Sequence, residues 1–343
     1  MCILFLYTGF VFSQHKKVLP PEYGIYHSAF PEMGPTEDVV TLEKIKSFEE
    51  MTGKNLVWVY FSNNWFKGIR FPKEDCETIM QAGRIPYIRM MPRSDFYDGV
   101  EDPVYSLQKI LSGSLDEQLI RWAKDAKEFG QPIMVEFGTE VNGNWFSWSG
   151  ALNGGGSNDL YGNPAYPDGP ELFKDTYKYI IDLFREYEVD NITWTFHVNA
   201  GSAPDEPWNN FNAYYPGDDY IDWIGLSIYG TQVHNNPPSK FVDVLRDSYF
   251  KLSMISITKP IAIFEFGTIE DASYKKSEWF KDVFTTLKSG EFPRIKAISY
   301  WHSKWEDENG KVYNMKIDSS PEALKAYKEF ISNRLFISTP RLK

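Results

Sequence analysis

Eight short apolar runs recur along this chain, and most are followed by a stretch with helical periodicity. The runs cover residues 23–29, 56–62, 85–91, 132–141, 191–199, 220–229, 260–268 and 295–302. Between them the apolar spacing predicts helices over 38–51, 73–82, 115–129, 170–187, 239–255, 274–289 and 321–333. Pro72 and Pro170 suit helix starts and Gly130 a helix stop, while 201–219 reads as a long loop with room for a short helix. Strands that alternate with helices pair in parallel, and eight of them close into a (β/α)8 TIM barrel of the α/β class. A doubly wound sheet is the competing arrangement, but no glycine-rich phosphate loop follows any strand. Gly154, Gly155 and Gly156 precede Ser and Asn in a turn-rich loop and read as a flexible connection. The 343 residues suit one such barrel. The expected division is a domain over 23–334, preceded by a linker over 14–22 and followed by a tail over 335–343.

Charge and cysteine usage exclude several function classes. A net charge of −11 is wrong for nucleic acid, whose phosphates demand a basic footprint. Cys2 and Cys76 are too few for a disulfide framework. Five dispersed histidines show no ligand spacing, so neither a catalytic metal nor a cofactor is expected. Asp159 and Asp168 in the 150–169 loop have the chemistry for calcium but read as solvated loop carboxylates. Residues 1–13, within MCILFLYTGFVFSQ, resemble the apolar core of a signal peptide and are too short to span a bilayer. The expectation is a secreted or periplasmic monomer with no membrane span. Aromatic residues make up 17% of the chain. Trp65, Trp145, Trp148, Trp208, Trp301 and Trp305 fall on or near loops that follow strands, where exposed rings would floor a groove for flat ligands.

The fourth and seventh runs carry carboxylates where an apolar strand has no use for them. In QPIMVEFGTEVNGNWFSW, residues 131–148, alternation puts Met134, Glu136, Gly138, Glu140 and Asn142 on one face and Ile133, Val135, Phe137, Thr139 and Val141 on the other. In KPIAIFEFGT, residues 259–268, it puts Ile261, Ile263, Glu265 and Gly267 inward and Ala262, Phe264 and Phe266 outward. Glu140 and Glu265 then stand near the C-terminal strand ends, where such barrels build active sites. Glu136 lies one layer deeper, too deep for a substrate. A charge buried there needs a partner, and Arg89 shares the inward parity of the third run, so an Arg89–Glu136 pair is expected. His197 and Asn199 have inward parity in the fifth run. His197 suits either a substrate contact or a satisfied core position, Asn199 reaches higher, and His27 and His302 are weaker candidates.

The stretch EVNGNWFSW, together with the later FEFGT, resembles glycoside hydrolase family 26, which holds mainly endo-β-1,4-mannanases with β-1,3-1,4-glucanase and β-1,3-xylanase members. The resemblance covers roughly residues 23–333. It implies a retaining endo-β-glycanase with Glu140 as acid/base, in a Glu-x-Asn-Gly-x-Trp-x-x-Trp pattern with Asn142, Gly143, Trp145 and Trp148, and Glu265 as nucleophile. It implies a hydrogen bond from Tyr229 to the nucleophile and a sugar floor at Trp301. Asn142, Trp145, Trp148, His197, Asn199, Tyr229 and Trp301 are the expected substrate contacts. The expected partner is a β-linked polysaccharide. Mannan is the family's default, but typical mannanases carry Arg-x-x-His before the acid/base glutamate, and here those positions are Glu136 and Thr139. That departure keeps mixed-linkage β-glucan and β-1,3-xylan open. A non-catalytic glycan-binding barrel with the same groove is the alternative from another class.

Overall fold

The computed structural model describes residues 16–96 and 99–343; the expected signal segment over 1–13 lies outside them. Eight parallel strands close into a barrel: β1 Ile25–Pro31, β2 Trp58–Asn64, β3 Ile85–Met91, β4 Ile133–Phe137, β5 Ile192–Asn199, β6 Trp223–Tyr229, β7 Ile261–Gly267 and β8 Ile295–His302. Each pairs with the next in sequence, and β1 pairs with β8 from Tyr26↔Ala297 to Pro31↔His302. Around them run α1 Leu42–Thr52, α2 Lys73–Gln81, α3 Leu107–Leu111, α4 Asp116–Phe129, α5 Asp168–Glu186, α6 Phe211–Tyr214, α7 Phe241–Ile255, α8 Lys276–Lys288 and α9 Pro321–Ile331. The α4 helix shows why these segments are helical. Leu119, Trp122, Ala123 and Ala126 make one buried stripe, Asp116 and Glu117 meet the positive end of the helix dipole, and Gly130 ends it with φ 64°. Among the described residues no helix is long and apolar enough to cross a membrane.

The barrel interior is layered. Tyr26, Trp58 and Trp223 plug its lower end, with ring centroids 6.2–6.3 Å apart. The flanking segments brace the same end. Val18–Leu19 pairs antiparallel with Arg341–Leu342, Trp223 donates Nε1–H to Val18 O (2.8 Å), and Phe336–Ile337 runs parallel beside β1. Residues assigned to a linker and a tail from sequence thus hydrogen-bond to the barrel floor. A hairpin absent from the sequence reading, β9 Lys304–Glu306 with β10 Val312–Asn314, follows β8 at the upper rim.

Two local departures from regular strand geometry correct the expected facing of side chains. In β7 the register against β6 slips by one residue, so that Leu226 faces Ile263 but Ser227 faces Glu265. This bulge puts Phe264 and Glu265 on the same side. The Phe264 ring lies 5.3 Å from Tyr87 and 5.1 Å from His197, inside the barrel and not outside as strict alternation requires. Ala262, paired with inward Gly225, also faces in, and Ile263, paired with Leu226, faces out. In β4 the strand stops at Phe137 because Gly138 turns left-handed, with φ 62°. Thr139, expected to face the helices, therefore turns inward, its hydroxyl 2.9 Å from His197 Nδ1.

A Cβ at Gly138 would stand 2.7 Å from Phe173 Cε2 and 3.0 Å from Trp148 Cδ1. Gly138→Ala combines overpacking with an unfavourable φ and is expected to cost on the order of 2–4 kcal/mol. Denaturant unfolding checks it: the midpoint falls while the slope stays fixed. A midpoint matching wild type would contradict the crowding.

Candidate active site

A cleft of about 500 Å³ opens at the C-terminal rim of the barrel, with Glu140, Glu265, Arg89, Tyr229, Trp145 and Trp301 among its walls. A larger hollow of about 690 Å³ lies between the 202–212 loop and α7. Its acids, Asp205 and Glu206, are exposed, so it lacks the desolvated carboxylates that bond-breaking chemistry uses. The smaller cleft is the candidate site.

Glu140 reaches the cleft from a strained backbone. Its φ is 52°, unusual for a residue with a side chain, and its N–H is held by His197 O at 3.0 Å. Trp145 Nε1 donates to Glu140 Oε2 at 3.0 Å. Gly143 makes that bond possible, because a Cβ there would lie within 2.5–2.7 Å of the Trp145 ring. Burial and then the nearby Glu265 carboxylate push the Glu140 carboxyl up to about 7.

Glu265 is faced by a phenol at each oxygen: Tyr229 donates to Oε2 (2.5 Å), and Tyr60 lies 2.8 Å from Oε1. Tyr60 has one hydroxyl proton, yet its oxygen is also 2.7 Å from Glu136 Oε1. It can donate to only one carboxylate at a time. Arg89 lies between the two, with Nε 3.4 Å from Glu136 Oε1 and Nη2 3.4 Å from Glu265 Oε1. The Arg89–Glu136 pair expected from parity is therefore present, within a larger cluster. Its third acid is Glu37, whose Oε2 accepts from Arg89 Nη1 (2.9 Å) and from Ser62 Oγ (2.7 Å). The guanidinium also lies over the rings of Tyr60 and Trp301, 5.1 and 5.3 Å from their centroids.

Below the cleft, His197 ties the cluster together. Its Nδ1 is 2.9 Å from Glu136 Oε2 and its Nε2 is 2.8 Å from Ser227 Oγ. Tyr87 donates to the same Glu136 oxygen at 2.7 Å. Burial alone would push Glu136 up; His197, Arg89 and Tyr60 outweigh it and hold the carboxyl below its ordinary value. Burial alone would push His197 down; the Glu136 carboxylate outweighs it and holds the imidazole above its ordinary value. The two shifts describe one proton-sharing pair.

The predicted residues divide between the cleft and its support. Glu140, Glu265, Trp145, Asn199, Tyr229 and Trp301 line the cleft. Asn142, Trp148 and His197, expected as substrate contacts, are not among its walls. Asn142 is buried and clamps the β5 loop, accepting from Asn199 N (2.8 Å) and donating to Asn199 O (2.9 Å). Trp148 stacks on Phe146 (4.5 Å, 16°) and donates to Thr139 O (2.8 Å), which fixes the turn that presents Glu140. Of the weaker candidates, His27 faces the helices beside Tyr327 OH (3.0 Å), and His302 Nδ1 accepts from Ile317 N (3.1 Å). Trp65 is buried against Tyr105, and Asp168 is buried at the start of α5, accepting from Leu160 N. Among the described residues no group of three His, Cys, Asp or Glu is arranged to hold a metal.

Sequence reasoning missed Glu37, Phe146 and Gln232 as wall residues, and Tyr60, Tyr87 and Ser227 beneath them. Glu37 and Gln232 sit in loops with no pattern to mark them. Tyr60 carried a usable signal, since it shares parity with Trp58 inside an otherwise apolar run.

Comparison with known proteins finds relatives by sequence and by fold. A family model described as "Glycosyl hydrolase family 26" matches residues 87–289, more than half of the chain. Endoglucanase H of Acetivibrio thermocellus is 28% identical over 290 residues, covering 84% of this chain and 29% of that protein. Mannan endo-1,4-beta-mannosidase A and B of Caldalkalibacillus mannanilyticus is 28% identical over 172 residues, 50% of this chain and 28% of that protein. The chain thus spans less than a third of the length of these two relatives. Among solved structures, the catalytic domain of the Bacillus sp. JAMB-750 GH26 endo-beta-1,4-mannanase superposes with a TM-score of 0.64 at 18% identity, over 92% of this chain and 87% of that one. At that identity the match supports the barrel fold and no more.

Proposed function

The chain belongs to glycosyl hydrolase family 26, and from that premise we propose that it is a retaining endo-β-glycanase that cleaves internal bonds of a β-glucan. The observation that carries the reading is the pairing of two buried carboxyls in one cleft with opposite hydrogen-bond environments. Glu140 meets one indole N–H at 3.0 Å and is pushed up to about 7, which suits a proton donor. Glu265 is faced by phenols on both oxygens, at 2.5 and 2.8 Å, which suits an ionised nucleophile. In the first step a Glu265 oxygen bonds to the anomeric carbon while Glu140 gives its proton to the departing oxygen. In the second, Glu140 takes a proton from water, the water oxygen bonds to the same carbon and the Glu265 ester bond breaks.

Glucan is favoured over mannan by two observations. The relative named an endoglucanase matches 84% of the chain, whereas the relative named a mannan mannosidase matches 50%. Position 139, where typical mannanases use histidine to hold the sugar beside the cleavage point, is a threonine whose hydroxyl is engaged by His197 below the cleft. Mannan stays the second reading because the relatives include several mannan mannosidases.

Hydrolysis of mixed-linkage and β-1,4-glucans against β-mannan, followed by proton NMR, tests both parts. We expect the glucans to be cleaved faster and the first-formed product to be the β-anomer; an initial α-anomer would overturn the double displacement. The pH profile is a separate test. Glu140 acts as the protonated form, which is lost as pH rises through about 7, so kcat/KM falls up to about tenfold per unit above that point. A basic limb that does not begin until pH 9 would remove Glu140 from the acid role.

A further inference from the structure

Trp305 belongs to two hollows at once. It lines the catalytic cleft, and it lines a second groove of about 530 Å³ with Glu32, Pro35, Ser303, Lys304 and Val312. We infer that the β9–β10 hairpin, through Trp305, carries a second sugar platform that binds further neutral pyranose units on the glycone side of the cleaved bond. The inference rests on the glycanase reading above.

Three features make the indole a built surface. It is 39% exposed, among the larger apolar groups left open on this chain. It stacks nearly flat on Tyr313, with centroids 5.6 Å and planes 6° apart, across the registered pair of the hairpin. The hairpin is pinned from outside: His234 bridges Asp271 Oδ2 (2.9 Å) and Val312 O (3.0 Å), and its ring lies 5.2 Å from Tyr313. Tyr313 OH donates to Asp307 Oδ2 at 3.1 Å. A ring fixed in this way loses little freedom when a ligand covers it.

The chemistry selects the occupant. A flat apolar face bordered by the Ser303 hydroxyl, the Lys304 ammonium and the Glu306 carboxylate matches a pyranose, which is apolar across its ring faces and polar around its edge. The charges are mixed and the chain's net charge is −11, so a neutral hexose is preferred over a uronic acid. Continuity sets the direction. Glu140 and Trp145 extend from β4, on the leaving-group side, and the groove opens past β8 and β1 at the opposite wall. Units held there stay with Glu265 after cleavage.

The test uses two series of reducing-end-labelled β-gluco-oligosaccharides, one lengthened on the glycone side and one on the aglycone side, with wild type, Trp305→Phe and Trp305→Ala. Trp305→Ala is expected to lower kcat/KM progressively as the glycone lengthens, by roughly tenfold more for the longest than for the shortest substrate. The aglycone series is expected to show a loss that does not vary with length, and Trp305→Phe to recover part of the glycone effect. A loss equal in both series, or no loss, overturns the inference while leaving the glycanase reading intact. A wild-type protein that cleaves neither series nor polymeric glucan or mannan takes both down.

Discussion

Glu265→Gln is expected to lower kcat on β-glucan by on the order of 10⁴-fold or more while the protein stays folded. The amide cannot form the ester bond to the anomeric carbon, so the first step has no nucleophile. Folding survives because the change removes a buried charge next to Glu140, and the Tyr60 proton is then free to serve Glu136 alone. Glu140→Gln should behave differently. Natural glucan needs its leaving oxygen protonated, and the loss is about 10²–10⁴-fold. An aryl glycoside with an acidic phenol as leaving group needs no such help in the first step. With that substrate Glu140→Gln is expected to release a rapid burst of phenol and then stall, because no base activates the water. The two variants also report on each other. Glu265 is the second cause, after burial, of the raised Glu140 carboxyl, so Glu265→Gln should bring the titration of Glu140 below about 7. Trp145 donates to that carboxyl, and its fluorescence against pH, differenced against Glu140→Gln, follows the shift. If the aryl glycoside shows no burst, or Glu265→Gln keeps a tenth of the activity, the assignment of the two roles is wrong.

The second large effect concerns stability. Arg89 is nearly fully buried and faces Glu37, Glu136 and Glu265 together. Arg89→Met leaves those carboxylates with hydroxyl and imidazole partners but without the guanidinium they share, and is expected to cost about 3–5 kcal/mol. The single Glu136→Gln removes one of the acids that Arg89 balances. Combined, the two changes should cost less than the sum of their separate costs, with a coupling of at least about 1 kcal/mol in a double-mutant cycle. Strict additivity by denaturant unfolding would mean that Arg89 and Glu136, 3.4 Å apart, do not sense each other. Activity should fall as well, since Arg89 also touches Glu265.

The strain at Glu140 belongs to the same picture. A left-handed backbone at a residue with a side chain and a buried, half-protonated carboxyl both work against folding. Relative to its ordinary 4.5, a carboxyl raised to about 7 binds extra protons in the folded state, so its contribution to stability is present at low pH and is lost as pH rises from 4.5 to about 7. The loss is on the order of 2–3 kcal/mol. The site keeps a conformation and a charge state that a merely stable barrel would not.

Much of this arrangement was legible in the chain. The strand-and-helix alternation foretold the barrel: each of the eight expected strands and seven expected helices overlaps an observed one, with only small shifts at the ends. Parity alone brought Arg89 and Glu136 to the same interior layer, because both lie in regular stretches of β3 and β4 that pair residue for residue. The same rule misplaced Ile263 and Phe264 once it was carried across the bulge in β7, and Thr139 once it was carried past Gly138.

Alternating side chains and helical stripes are local consequences of backbone geometry, so the order of residues by itself determined the strands, the helices and the closed parallel barrel, and it marked Glu140 and Glu265 as acids out of place in apolar runs. Only the tertiary structure decided which groups surround those acids. Tyr60 reaches Glu265 from 205 positions away, and His197 reaches Glu136 from 61. Parity marks Tyr60, His197 and Glu136 as interior but names no partners, because which interior groups meet is set by packing across the whole barrel.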